Sequence, residues 1–431
     1  MNTPSHISTL AETAEGSFRD RLATVDEKGK RNWVYAKKPK GRLYRYRTWV
    51  SWFFFAVFFA LPFIYVNGRP LFLFNIVQAK FIIFGKVFWP QDFFIFGITM
   101  ITFIVFIILF TAAFGRLFCG WVCPQTIFME MLFRKVEYLI EGDAAQQRIL
   151  SQQPWNTDKI ARKTAKHLVF YLMSFVIANF FLAYIIGVKE LGKIITEPVT
   201  EHFGGFLSIA VFSGLFYGVY AFFREQVCTV VCPYGRLQGV LLDKNSMVVA
   251  YDYVRGEPRG NFKKKEPDDI IGDCVDCFQC VRVCPTAIDI RHGTQMECIG
   301  CTACIDACDD VMLKTGKEPG LIRYASENGI IKNERLHFTT RMKLYSVLLS
   351  ILVLILVSLL ISRKDVDATV MRTPGMLYQE RGTDSISNLY NIKLANKTLE
   401  RIPLTIKMEN EAGNIEIIGN HNIIVKEEGQ G

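Results

Sequence analysis

Five uniformly apolar runs mark the chain, at residues 48–66, 93–114, 167–187, 203–223 and 344–361. Each is about 18 to 22 residues long and nearly free of charge, the length that crosses roughly 30 Å of hydrocarbon, so the pattern predicts five transmembrane helices. Residues 71–88 are also apolar but are broken by Asn75, Gln78, Lys80 and Gly85, which predicts an interfacial or re-entrant segment in place of a sixth span. Two further stretches mix characters. Residues 127–140, IFMEMLFRKVEYLI, read as an amphipathic helix lying against the membrane, and 235–242 as a shorter surface helix. Beyond Ser362 the period shortens to two: YNIKLANKTL, IPLTIKMENEAG and IEIIGNHNIIVKEEG alternate apolar and polar residues between Asn and Gly turns, the mark of an antiparallel sandwich. This stretch is shorter than the roughly 100 residues of a full immunoglobulin-type fold, so a reduced module or one cut short is expected.

Charge orients the spans. The first apolar run starts too late for a secretory signal, and the basic KKPKGRLYRYR that precedes it puts the N-terminus in the cytoplasm by the positive-inside rule. Counting onward, the second and third spans are joined inside, where Arg134, Lys135, Lys159, Arg162, Lys163 and Lys166 lie. The fourth and fifth are also joined inside, by a segment with Arg224, Arg255, Arg259 and Lys263–Lys265; residues 188–202 and everything after Ser362 are then outside. The net charge of +9 follows from this asymmetry, and no motif supports nucleic-acid binding. The resulting division is a cytoplasmic segment 1–47, four spans over 48–262, a cytoplasmic domain 263–340, the fifth span 341–364 and an external β domain 365–431.

All 12 cysteines fall on the predicted cytoplasmic side, where disulfides are rare and metal thiolates are expected. Cys274, Cys277, Cys280 and Cys284 follow C-x2-C-x2-C-x3-C-P, and Cys298, Cys301, Cys304 and Cys308 repeat the spacing without the proline, Asp309 standing in its place. Tight x2 spacings wrap three corners of a cubane while the remote fourth cysteine closes the other cluster. The bacterial two-cluster pattern therefore assigns Cys274, Cys277, Cys280 and Cys308 to one [4Fe-4S] centre, and Cys298, Cys301, Cys304 and Cys284 to a second. AIDIR, 287–291, predicts a short strand between the repeats, and Asp276, Asp289, Asp306, Asp309 and Asp310 read as a solvated surface around the centres.

The other four cysteines form two short motifs, Cys119-x3-Cys123-Pro124 and Cys228-x3-Cys232-Pro233, each just past an outside-to-inside span. They are predicted to meet at one membrane face. Four converging thiolates can hold a third cubane, bind copper or act as a dithiol redox site. Met129 and Met131 read as packing, and His167, His202 and His292 lie too far from the motifs in sequence to suggest ligands.

CGWVCPQTIF from Cys119, the segment from Arg224 that begins REQVCTVVCPYGRLQGV, and the ferredoxin region from Gly272 resemble the cytochrome c oxidase accessory protein family, membrane-bound polyferredoxins of cbb3-type oxidase assembly. The resemblance runs from about residue 44 into the C-terminal sheet and implies five spans, a cytoplasmic two-cluster ferredoxin domain and a periplasmic immunoglobulin-like end in the bacterial inner membrane. It also implies reduction of Cu(II) to Cu(I) for the oxidase copper centre, with Cys119, Cys123, Cys228 and Cys232 as the redox or copper-facing site and the eight ferredoxin cysteines as its electron supply. The implied partners are the oxidase assembly machinery and a copper transporter or chaperone, with a homodimer conceivable and the electron donor unspecified. Two other classes stand beside this reading: a quinol-linked membrane electron-transfer subunit and a non-catalytic assembly scaffold.

Overall fold

The computed structural model describes residues 24, 25, 28, 30–66, 68–76, 80–88, 92–260, 271–332, 338–363, 366–375, 378–382, 385–396, 401–407, 413–418 and 423–425. They fall into two compact units, Met1–Ile64 with Ile101–Ser350, and Tyr65–Met100 with Ile351–Gly431.

Five helices are long and apolar enough to cross a membrane: Arg42–Phe63, Phe93–Phe114, Thr157–Ile186, Phe203–Phe223 and Thr340–Ile361. Three begin before their hydropathy does. The first starts within the basic run because the Asp306 carboxylate accepts from the backbone N–H groups of Leu43 and Tyr44, at 3.1 and 2.7 Å, satisfying donors that a first turn leaves open. The third starts at Thr157 because the Asn156 side chain caps the Lys159 N–H at 2.8 Å. The third and fourth spans lie along each other, with Phe181 meeting Phe212 and Phe216 at ring separations of 6.3 and 5.8 Å.

The stretch expected on the membrane surface is instead buried. Pro124–Ile140 is helical throughout, with a π-helical turn over Phe128–Phe133, and Ile127, Phe128, Met129, Met131 and Phe133 join Phe170 and Tyr220 in the core. Most of its charges find partners inside. Arg134 pairs with Glu130 at 3.0 Å, Glu137 takes both ends of the Arg224 guanidinium at 3.0 and 2.7 Å, and Lys166 reaches Glu141 at 2.9 Å. Hydropathy alone cannot distinguish such an internally neutralised face from a wet one. The shorter helix forms over Pro233–Leu241, with Gln238 fully buried.

In the ferredoxin region, strand Val248–Tyr251 pairs antiparallel with Ile322–Ala325, and the cysteines lie on loops and the short helices Gln279–Arg282 and Ala303–Lys314 between them. The strand expected over 287–291 does not form. Ala287 is left-handed at φ +59°, and the Asp289 carboxylate turns back to accept from the Arg291 N–H, which starts a 3-10 turn at Ile290. The boundary at 262/263 and the run Lys263–Lys265 lie outside the described residues.

The second unit contains a three-stranded antiparallel meander, Phe72–Asn75, Lys80–Ile83 and Lys86–Phe88, where the sequence suggested an interfacial or re-entrant segment. Asn75 ends one strand, Lys80 starts the next and Gly85 lies in the turn before the third. Beyond the fifth span, Val366–Arg372 pairs with Tyr390–Asn396, Gln379–Arg381 with Ser385–Ser387, and Ile402–Leu404 with Ile423–Val425, all antiparallel.

Candidate iron-sulfur and redox site

Two internal cavities sort the eight ferredoxin cysteines. Cys274, Cys277, Cys280 and Cys308 line one, with Tyr251 and Met312. Cys284, Cys298, Cys301 and Cys304 line the other, with Ile288 and Ile299, and Cys280 touches both. The structure thus brings together the two sets in which each repeat lends its last cysteine to the other. Burial pushes the Cys280 and Cys308 thiols up to about 12 and those of Cys298 and Cys301 to about 11, so the walls favour thiolate only when cationic metal compensates it. Among the described residues no three His, Cys, Asp or Glu side chains are gathered tightly enough for a single metal ion. Sulfurs spread around apolar cavities fit a multi-iron core instead.

The two short motifs repeat one backbone design. Gly115 at φ +56° and Arg224 at φ +52° each end a span by a left-handed residue, four positions before Cys119 and Cys228. Gly115 also needs its missing Cβ, which would stand 2.4 Å from the Met247 carbonyl oxygen. The second cysteine of each motif then donates its N–H to the carbonyl five residues back, Cys123 to Phe118 at 2.9 Å and Cys232 to Val227 at 2.7 Å. Pro124 and Pro233 start new helices. These matching turns bring the four thiols into one electrostatic neighbourhood. Burial first, then the nearby cysteines, push Cys119 and Cys228 up to about 12.

This four-cysteine site abuts the second cluster cavity. Cys119 and Cys228 pack on the wall formed by Val283, Ile299, Cys301 and Ala303. A Cβ on Gly120 would lie 2.5 Å from the Gly300 carbonyl oxygen, and one on Gly300 2.9 Å from that of Arg116, so the two backbones touch. Arg116 fastens the junction: its guanidinium donates to the carbonyls of Met296, Cys298 and Gly235, tying the first motif to the ferredoxin loop and the second motif. Arg47 from the first span donates Nε to the Gly120 carbonyl at 2.7 Å. The three cysteine sites therefore run in series, with Cys280 between the first two and Gly120–Gly300 between the last two.

The donors around the third site test what it could hold. Gln238 Nε2, Arg47 Nη2 and Arg116 Nε are buried without an acceptor among the described residues, and Gln238 Oε1 faces the Cys119 sulfur at 3.2 Å. An anionic cluster with thiolate and sulfide acceptors fits such a surround. Sequence reasoning missed the roles of Arg47, Arg116 and Gln238; Arg116 and Gln238 flank the motifs in sequence, and Arg47 does not. Asp306, expected in water, is buried beneath the first span, and Asp289 and Asp276 are bound by Arg291. His167 bonds Tyr217 and His202 pairs with Glu197, neither beside a cysteine cavity.

Comparison with known proteins bears directly on this arrangement. A family model described as a 4Fe-4S dicluster domain matches residues 223–327, one described as a 4Fe-4S binding domain matches 96–141, and one for the IG-like fold at the C-terminal of FixG matches 356–430. Protein RdxA of Cereibacter sphaeroides is 34% identical over 79% of this chain and 73% of its own length, and protein RdxB of the same organism 32% over 89% and 83%. The chain belongs to the FixG/RdxA/RdxB family. The nitrogen fixation protein FixG of Rhizobium meliloti is 38% identical over 71% of this chain, and the match spans 60% of FixG. No solved structure matches. Membership fits the accessory-protein resemblance and makes this a membrane iron-sulfur electron-transfer protein with ferredoxin domains and a FixG-type C-terminal module.

Proposed function

We propose that the protein passes single electrons along its cysteine sites and reduces Cu(II) to Cu(I) at the four-cysteine end, for the copper centre of a cbb3-type cytochrome c oxidase. The supporting observation is the direct contact of the CxxxCP turns with the second cluster cavity through Gly120 and Gly300. Each bound [4Fe-4S] cluster supplies one electron at a time, which suits a one-electron metal reduction. Arg116 and Arg47 hold the turns at fixed separation, and Cys232, flanked by exposed Val231 and Pro233, gives the acceptor an approach from outside. Cu(I) is the softer ion and favours sulfur, so arrival beside thiolates favours the reduced product. The unaccepted donors of Gln238, Arg47 and Arg116 beside these thiols support a third cluster there, with Cu(II) reduced at its edge. The basic start of the first span, capped by Asp306 of the ferredoxin domain, supports an inner-membrane orientation with both in the cytoplasm and the C-terminal module periplasmic. The partners in this reading are the oxidase assembly machinery and a copper transporter or chaperone.

The test is anaerobic purification, with iron, sulfide and copper measured before dithionite-reduced protein is mixed with Cu(II). About twelve irons are expected with a third cluster and about eight without it. Cys119→Ser with Cys228→Ser should abolish Cu(I) formation while the ferredoxin clusters keep their EPR signals. Unchanged cupric reduction in that variant would sink the assignment.

A further inference from the structure

The electron supply has to enter somewhere, and one polar feature of the membrane helices is unused by the cysteine sites. His167, on the third span, and Tyr217, on the fourth, are joined by a hydrogen bond of 2.9 Å between Nδ1 and Oη. Both are half-buried. His167 lies where the third span passes from its polar start, 157–166, into its apolar run, which is the boundary of the hydrocarbon on the side carrying the cysteine motifs. Ionisable groups inside a span are costly and mark function more often than packing.

The surroundings have the composition of a slot for a flat aromatic head group. The His167 ring stacks on Phe222 at 6.0 Å, Tyr217 meets Phe222 at 5.7 Å and Tyr171 at 5.8 Å, and Tyr171, Phe222 and Leu168 are open on the face where lipid lies. His167 Nε2 has no hydrogen-bond partner among the described residues. Next to His167, Lys166 is drawn inward to Glu137 and Glu141, leaving the imidazole as the base at the lipid edge. One helical turn beyond Tyr217, Tyr220 is buried on the side of Cys123 and Cys228, and the Phe216 ring lies 6.1 Å from that of Tyr220. An electron released at Tyr217 is thus one turn of helix from the four-cysteine site.

We propose that His167 and Tyr217 bind the head group of a membrane quinol and that this quinol is the electron donor. With Nδ1–H donated to the Tyr217 oxygen, Nε2 is free to accept a proton from a quinol hydroxyl. Oxidation breaks both quinol O–H bonds and gives the quinone, two protons and two electrons. The first proton goes to Nε2, His167 hands it to water at the membrane edge, and the second follows the same way. The electrons leave singly, one to each of two [4Fe-4S] centres. The binding step stands without copper; only the onward delivery to two Cu(II) ions rests on the function proposed above.

The experiment uses the full-length protein in lipid nanodiscs, anaerobic and free of copper. Binding of heptyl hydroxyquinoline N-oxide, a redox-inert quinol mimic, is followed by fluorescence quenching, and reoxidation of dithionite-reduced centres by decylubiquinone is followed by EPR. Tyr217→Phe and His167→Gln should each weaken binding and slow reoxidation by about tenfold, one hydrogen bond's worth. Tyr184→Phe, which removes another hydroxyl from the third span far from this pair, should change neither, and ferricyanide should reoxidise every variant at the wild-type rate. Absence of binding to the wild type, or equal binding and reoxidation in wild type and both site variants, overturns the proposal. Because no copper is present, either result leaves cupric reduction to be judged by its own test.

Discussion

Gln238 shows how much of the redox chemistry rests on single side chains outside the cysteine motifs. Its carbonyl oxygen faces a protonated Cys119, but when the sulfur is a metal-bound thiolate the same amide, turned over, offers Nε2 as a donor. A donor to sulfur stabilises the more negative, reduced state of a cluster. Gln238→Leu should therefore lower the potential of the third site by about 40 mV, the equivalent of one hydrogen bond of about 1 kcal/mol in a one-electron couple, read by an EPR-monitored redox titration. Glu137 supports the same region differently. Burial opposes its ionisation, yet Arg224, Lys166 and Arg134 hold its carboxyl down to about 2. A carboxyl that titrates near 4.3 when unfolded and near 2 when folded gives stability that is complete above about pH 4.5 and is lost as pH falls toward 2. Glu137→Gln should remove that acid-side slope and, by taking the bidentate partner from the buried Arg224, cost about 3–5 kcal/mol, measured by thermal unfolding at neutral and acid pH. Replacing Glu137 and Arg224 together by Leu and Met should cost less than the single change.

At the scale of elements, the contact between the first CxxxCP turn and the ferredoxin loop decides how the sites communicate. Gly120→Ala places a methyl 2.5 Å from the Gly300 carbonyl oxygen, and backbone on both sides leaves no flexible side chain to yield. The expected result is separation of the turn from the loop, a loss of about 1–3 kcal/mol and, under the proposed function, slower electron delivery to Cu(II), with the ferredoxin clusters' EPR signals retained. How much of this was legible follows from the kind of interaction involved. The five spans and the two cluster sets are written in hydropathy and cysteine spacing, which are local. The motif pair was legible as two similar fragments, and their meeting followed from topology. The stretch 127–140, expected on the membrane surface, is buried because carboxylate charge on it is cancelled by Arg224 and Lys166, distant in sequence. The strand expected at 287–291 was lost to a local competitor, the Asp289 carboxylate. The roles of Arg47, Arg116 and Asp306 depend on which carbonyls and N–H groups face them after folding, and no residue pattern announces that.

For the whole molecule, the central question is which side of the membrane holds the redox chain. The N-terminal end of the first span is physically tied to the ferredoxin domain: Asp306 caps it, and the backbone N–H of Lys37 donates to the Arg282 carbonyl at 2.8 Å. The two cannot lie on opposite faces. The same end carries Lys37, Lys38, Lys40, Arg42, Arg45 and Arg47, and the positive-inside bias retains such a cluster in the cytoplasm. Both statements together predict that trypsin added to intact spheroplasts leaves 271–332 uncut, whereas inverted inner-membrane vesicles release peptides ending at Arg255 or Arg259. The bias is a property of insertion, so it can be perturbed. Changing Lys37, Lys38 and Lys40 to Gln should raise the fraction of ferredoxin peptides cut from spheroplasts, and that misoriented fraction should lack iron, because its clusters would have to be inserted on the wrong side. Cleavage of the wild-type ferredoxin domain from the outside would reverse the orientation and place the proposed copper reduction at the opposite face.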